Sequence, residues 1–346
     1  MGELFDKILK SDESIFLNPQ FLDYDYQPKL VPFRESQQQY IATCIKPILQ
    51  KRNGKNIIIL GKPGVGKTVC LRHVLNELRE DFSNEAFCLY LNCWKRDTSF
   101  KVISEICAQL NYKWIHNKNF DELMKEAAEI INDKSAVIVL DEADKLQDQN
   151  IIYSLLEDLH RKCLILITND NNFIVKLDNR IRSRLTPDLL EFKAYNYQQT
   201  LEILKQRAEY VFPPSVLDKE VLELIAKKAS ELQDLRTGLF LLKQSGEIAE
   251  NKSSKKITLE NVNEAISHLA TVNLDNEDSD LEIILEIIKQ NSGKPKTEIF
   301  KVYEQKEGKS QRTFQRKVVE LERSNRISSK EEQKDWGKEV ILEFRE

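Results

Sequence analysis

The octet Gly61-Lys62-Pro63-Gly64-Val65-Gly66-Lys67-Thr68 fits the pattern G-x-x-x-x-G-K-[ST] in full and stands between two unlike segments. Before it lies the short apolar run Asn56–Leu60; after it, from Val69 to Leu78, apolar residues recur at helical spacing. A strand, a glycine-rich turn and a helix in that order make a cradle for phosphate. The glycines let backbone N–H groups curl around the anion, and the helix N-terminus adds a favourable dipole. In such a turn Lys67 reaches the β- and γ-phosphates of a nucleotide, and the Thr68 hydroxyl is placed to ligate Mg²⁺. Val69 opens the helix beside the ligand. The octet therefore predicts an ATP/ADP site with Mg²⁺ on an α/β core.

The neighbouring segments agree. Phe87–Leu91, Ala136–Leu140, Leu164–Thr168 and Leu189–Phe192 are short apolar runs that alternate with helical patterns, as in a parallel sheet covered on both faces. A helix is expected over 35–50, behind an amphipathic start (Leu4, Phe5, Ile8, Leu9) and a Pro-punctuated stretch. Past Phe192 the strand signal stops, and 196–211, 217–231, 234–250 and 258–271 read as helices. Asn196 with Gln199 predicts a capping box for the first, and Asp218 a cap for the second. The polar, acidic stretch Val272–Ser279 predicts a linker. Helical patterns over 280–290, 295–305 and 310–323 follow, then β-like segments Arg326–Ser329 and Val340–Phe344 around Gly337. Three helices and a hairpin are the order of a winged helix-turn-helix. The expected architecture is an α/β P-loop module with a parallel sheet (1–193), an all-α helical lid (194–274) and a winged helix-turn-helix (275–346).

Composition narrows the function classes. With 52 Lys+Arg against 56 Asp+Glu the net charge is −4, which taken alone argues against a nucleic-acid binder. The charge is uneven, however: residues 289–330 hold twelve Lys or Arg and five Glu, a local +7. No apolar run approaches the ~20 residues of a membrane span, and the N-terminal residues lack the apolar core of a secretory signal. The six cysteines form no C-x-x-C pair, so zinc is not expected and reduced thiols in an intracellular protein are.

The second half of a hydrolytic site is expected 73 residues after Thr68, where the strand Ala136–Leu140 ends in Asp141-Glu142-Ala143-Asp144. A carboxylate at that strand tip is where a Mg²⁺ shell needs one, so Asp141 would organise the metal and Glu142 would polarise the attacking water. The letters DEAD also occur in a class of helicases. Those enzymes need a second α/β domain with its own arginine motif, and here only helices follow the sheet. Asn169, closing the strand Leu164–Thr168, reads either as a residue that positions the lytic water or as a turn former. Arg180, Arg182 and Arg184 read either as a solvated basic turn or as the source of an arginine finger for a neighbour's γ-phosphate.

In the terminal segment Phe314, Val318 and Leu321 share one helix face and are expected in a core, with Ser310 or Thr313 as the cap. Gln311, Arg312, Gln315, Arg316 and Lys317 form the candidate recognition surface, since Arg and Gln read guanine and adenine edges in a major groove. Lys294, Lys296, Lys309, Arg323 and Arg326 are candidate phosphate contacts. Lys95 and Arg96 are a weaker second candidate.

Taken together these residues resemble the AAA+ ATPases, and among them the archaeal origin-recognition (Orc/Cdc-type) replication initiators. The resemblance runs from Phe21–Pro28 and Pro32–Glu35, similar to the family's adenine-side segment, through Asn92-Cys93, Leu140–Leu146 and Leu166–Asp170. It continues through Phe192–Asn196 and Ile203–Ala208 at the lid entry to Asp234-Leu235-Arg236. It implies that Tyr26, Arg34, Tyr195 and Arg207 belong to the nucleotide site, that Asn169 is the first sensor and that Arg236 is the lid sensor. It also implies slow, switch-like ATP hydrolysis, binding to double-stranded origin DNA, recruitment of the replicative MCM helicase and association with other initiator subunits. Gln233 and Leu235 depart from the family's Gly and Ala. STAND-like archaeal ATPases also join a P-loop module, lid and winged helix, but they usually lack an arginine triplet and a D-x-R lid motif. A DNA-binding regulator that holds ATP as a clamp is a further alternative.

Overall fold

Ile57–Leu60 (β1), Ala86–Asn92 (β2), Ser135–Asp141 (β3), Lys162–Thr168 (β4) and Asp188–Glu191 (β5) form one parallel sheet of order β2-β3-β4-β1-β5. All seven residues of β3 are buried, because helices cover both faces of the sheet. Glu35–Leu49 (α1) and Lys67–Phe82 (α2) pack on one face, around Ile41, Ile57, Ile59 and Leu71. Ser99–Gln109 (α3), Phe120–Asn132 (α4), Asn150–Asp158 (α5), Phe173–Lys176 (α6) and Asn179–Leu185 (α7) surround the opposite core, which includes Ile58, Ile138 and Leu166. In the computed structural model residues 14–276, 279–307, 311–323, 326–334 and 337–344 are described. None of their helices is long and apolar enough to cross a membrane. All six cysteines are free thiols, and every one except the half-buried Cys88 is buried.

The lid consists of Tyr197–Val211 (α8), Lys219–Leu232 (α9) and Leu235–Asn251 (α10), followed by Leu259–Asn276 (α11). The expected capping box at Asn196 and Gln199 is present in both directions. Asp218 stands at the N-cap of α9 without a side-chain cap bond; it lies 3.8 Å from Lys256 instead. The stretch expected as a linker is helical as far as Asn276. No Gly or Pro interrupts 259–276, so nothing local stops the helix there.

The chain divides into two compact units, Met1–Val262 and Asn263–Glu346. The second contains Ser279–Gln290 (α12), Lys296–Glu307 (α13) and Gln311–Arg323 (α14). Its antiparallel sheet has the order β6-β8-β7, from Lys294–Pro295 (β6), Ile327–Lys334 (β7) and Gly337–Phe344 (β8). Phe314, Val318 and Leu321 are buried together with Ile284, Ile299 and Tyr303, as the helical spacing requires.

Candidate functional site

The C-terminal ends of β1, β3 and β4 meet at one edge of the sheet, the position at which open α/β sheets place ligands. A cleft of about 800 Å³ opens there, between the turn after β1 and the lid. Gly66 is the N-cap of α2 at φ 87°, and Gly64 also has positive φ, at 72°. A Cβ on Gly64 would lie 1.7 Å from Asp234 Oδ1 of the lid. The turn needs glycine there twice over, for backbone conformation and for the approach of the lid.

Lys67 is buried at 7% exposure, and its ammonium donates to Gly61 O at 2.6 Å, Lys62 O at 2.8 Å and Asn169 Oδ1 at 2.5 Å. Burial depresses it to about 8, the nearby Arg236 adding to the effect and Asp141 opposing it. The side chain is thus held in a water-poor pocket by oxygens that a phosphate can replace.

Asp141, 3% exposed, ends β3. Its Oδ2 accepts from Thr68 Oγ1 at 2.8 Å and from the Tyr90 phenol, and its Oδ1 accepts from the Glu142 amide at 2.9 Å. Glu142 follows in the left-handed region, at φ 56°. A non-glycine residue there is uncommon, and such strain concentrates at functional sites. Burial, with the charges of Asp141 and Asp144, holds its carboxyl above the usual range. Thr168 Oγ1 donates to Asp144 at 2.7 Å and ties the tips of β3 and β4 together.

The lid reaches the cleft through its sharpest turn. Gln233, the departure from the family glycine, occupies the left-handed position at φ 55° and accepts from Lys62 Nζ at 2.6 Å. Asp234 caps α10 by accepting from the Arg236 amide at 2.8 Å. Arg236 is exposed and lines the cleft facing Lys67 and Glu142. Arg207 packs 4.7 Å from the Tyr26 ring and donates to Phe21 O at 3.3 Å; both side chains line the far end of the cleft.

Of the residues implied by the resemblance, Arg34 stands differently and Tyr195 does not. Arg34, 5% exposed, lies behind the turn rather than in the cleft wall. Its guanidinium donates to Val65 O at 2.8 Å and Lys193 O at 2.6 Å, and it stacks 4.0 Å from the Tyr195 ring. It joins the turn to the start of the lid. Tyr195 lines the cleft, with its hydroxyl 2.8 Å from where a Cβ on Gly66 would be.

The arginine triplet separates. Arg184 is paired with Glu157 through two of its nitrogens and sits 5.3 Å from the Tyr153 ring. Arg182 donates to Asn179. The Arg180 side chain is 77% exposed, with Asp178 at 3.4 Å.

In the second unit, Gln311, Gln315, Lys294 and Arg326 are exposed and Lys296 is half-buried. Lys317 does not belong to the outward surface. It is 5% exposed, because it lies three residues after Phe314 and four before Leu321, within the apolar stripe. The side chains of Arg312, Arg316 and Arg323, and the whole of Ser310 and Lys309, lie outside the described residues.

Sequence reasoning missed Tyr90 and Arg72. Tyr90 pairs with Val139 in the β2–β3 register and so shares a face with Asp141 two residues on. The two-residue step from Tyr90 to Asn92 at the strand end was the available signal.

The cleft, lid and P-loop agree with what the chain resembles. Residues 50–177 match the model of an AAA domain, and 201–267 match that of a Cdc6 AAA+ ATPase-type lid domain. An ORC1-type DNA replication protein of Pyrococcus horikoshii is 34% identical over 281 residues, spanning 76% of this chain and 67% of the relative. ORC1-type DNA replication protein 1 of Sulfurisphaera tokodaii is 32% identical over 281 residues, spanning 77% and 70%. Among solved structures, the Aeropyrum pernix ORC1 protein in complex with DNA superposes with a TM-score of 0.75 at 26% identity, covering 96% of this chain and 94% of that one. Cdc6p of Pyrobaculum aerophilum shares the fold, with a TM-score of 0.66 at 19% identity over 96% and 95% of the two chains. With its P-loop, AAA domain and Cdc6-type lid around one cleft, this chain belongs to the ORC1-type DNA replication proteins and is an AAA+ ATPase.

Proposed function

We propose that the chain is an ATP-dependent replication initiator that binds double-stranded origin DNA and helps recruit or load the replicative MCM helicase, acting in the cytoplasm at the nucleoid and with other initiator subunits. The partition is a P-loop core over 1–193, a lid over 194–274 and a winged helix-turn-helix over 275–346. The observation that carries the ATP half is the meeting of Lys67, Thr68, Asp141 and Asn169 at one sheet edge beneath the lid residue Arg236.

In this reading Gly61–Val69 cradle the phosphates, and Lys67 exchanges carbonyl partners for β/γ-oxygens. Glu142 takes the proton of the attacking water, Asn169 orients that water, and Arg236 senses the γ-phosphate from the lid. Tyr26 and Arg207 hold the base side, while Arg34 and Tyr195 brace the turn. The Thr68 hydroxyl and Asp141 carboxylate are hard oxygen donors 2.8 Å apart, and they fit Mg²⁺, which takes one or two protein oxygens plus phosphate and water. When bound there, Mg²⁺ neutralises charge on the β- and γ-oxygens. Arg180, the more exposed arginine, is the better candidate for a finger offered to a neighbour; Arg184 already holds Glu157.

The DNA half is supported by the three-helix and antiparallel-sheet unit, by the exposed Gln311 and Gln315 on α14, and by the +7 segment. The solved Aeropyrum pernix relative is a DNA complex. The test is selection of bound duplexes from a random pool. Arg316→Ala is expected to cost roughly 1–3 kcal/mol and to blur one or two positions of the consensus. Lys296→Ala or Arg326→Ala is expected to weaken all sequences alike, lowering the salt slope by about one unit per phosphate contact. An unchanged consensus in Arg316→Ala would remove base reading from this face.

A further inference from the structure

The carboxylate at the tip of β3 is held from outside the nucleotide motifs. Tyr90 lies on β2, the edge strand of the sheet, and its phenol donates to the same Asp141 oxygen that accepts from Thr68. A tyrosine on an edge strand would ordinarily be free to move with that edge. Here it is fixed at three points. Gln109 of α3 accepts from the Tyr90 amide at 3.3 Å and donates to its carbonyl at 2.9 Å, standing in for the missing neighbouring strand. Arg72 of α2 stacks 4.6 Å from the ring. Arg79 of the same helix donates to Cys88 O at 3.0 Å, one turn of the pleat away.

We propose that Tyr90, clasped by Gln109 and Arg72, is a positioning residue for the Asp141 carboxylate. By sharing Oδ2 with the Thr68 hydroxyl, it fixes the rotamer in which Asp141 faces the P-loop hydroxyl. Oδ1 is fixed by the Glu142 amide, so the carboxylate has a donor on each oxygen without the phenol. What the phenol adds is direction at the oxygen nearest Thr68, where a divalent ion would be shared. A hydrogen bond to a charged acceptor is strong enough to set a side-chain rotamer. Tyr90 lines the cleft wall beside Asp141 and acts through that carboxylate. Gln27, Arg72 and Tyr90 line both the nucleotide cleft and a second cavity of about 720 Å³ against the β2 edge, and of the three Tyr90 bonds Asp141.

The inference rests on the reading of Asp141 as the Mg²⁺-organising carboxylate, and its test separates the two. The affinity of a fluorescent ATP analogue is measured with Mg²⁺ and with EDTA for the full chain and for Tyr90→Phe, Gln109→Ala and Asp141→Asn. Tyr90→Phe is expected to keep its metal-free affinity and to lose about tenfold of the gain that Mg²⁺ brings, the order of size of one charged hydrogen bond. Gln109→Ala is expected to lose part of that gain, and serves as the second variant if Tyr90→Phe melts early. Turnover should show a KM for Mg·ATP raised by about the same factor. If Asp141→Asn removes the Mg²⁺-dependent gain while Tyr90→Phe and Gln109→Ala retain it in full, Tyr90 is core filling and the positioning role is overturned. Equal loss with and without Mg²⁺ would overturn it too, as damage to the whole cleft. If Asp141→Asn itself keeps the gain, the reading of Asp141 is what fails.

Discussion

Lys67 concentrates the physics of the site in one side chain. It is a cation kept in a buried pocket by two carbonyls and the Asn169 amide oxygen, none of which carries a full negative charge. Deleting it as Lys67→Ala removes the buried ammonium at the mouth of the helix, Lys62 being engaged with Gln233, and most nucleotide affinity should go with it; wild-type binding of labelled ATP by that variant would contradict the assignment. Its depressed value of about 8 gives a second check. Phosphate favours the charged form, so binding raises the value and draws a proton from solution at a pH above it. At about pH 8.5, calorimetry in buffers of unlike ionisation enthalpy should record uptake of roughly half a proton or more per nucleotide; no uptake would contradict the sign. Glu142 tests differently. Glu142→Gln keeps the shape and removes the basic carboxylate, so it should bind ATP normally and lose turnover. Parental turnover would reduce Glu142 to a turn residue.

The sheet was largely legible in the sequence because strands buried on both faces are written as unbroken apolar runs, and each of the five expected runs overlaps an observed strand. The linker misled, because acidic residues without periodicity read as loop even where no helix breaker stands among them. At the site, legibility depended on where each partner lies in the chain. Lys67, Thr68 and Asp141 stand in local patterns whose chemistry is readable from spacing alone. Tyr90 sits in an apolar run 51 residues from the carboxylate it holds, and Arg34 contacts backbone 31 and 159 residues away; no local pattern carries such pairings. Lys317 followed from neither route: counting charge on α14 placed it outward, and the wheel places it inward. The lid turn and the arginine turn differ in what they face. Arg236 faces the cleft of its own chain, so Arg236→Ala should impair ATP turnover in dilute monomer. Arg180 is exposed and does not line that cleft, so Arg180→Ala should matter only in assembled or DNA-bound protein. Equal losses in dilute monomer would contradict a finger role for Arg180.

Over the whole molecule the charge is divided as the work is. The chain is net acidic, while residues 289–330 carry +7 within the second unit. Long-range attraction to DNA should therefore be weak, and binding should depend on contact between α14, its flanking lysines and a defined site rather than on bulk charge. The first unit contributes an ATP cleft whose lid residues rest on the P-loop itself. If ATP binding and DNA binding belong to one origin-binding initiator, footprinting of the purified full chain on its own upstream intergenic DNA, with and without ATP, will show it. An origin-binding initiator gives a protected, sequence-defined repeat whose pattern changes with nucleotide. Absence of any protection, from protein that still binds ATP, would contradict it and favour a signalling ATPase of related architecture.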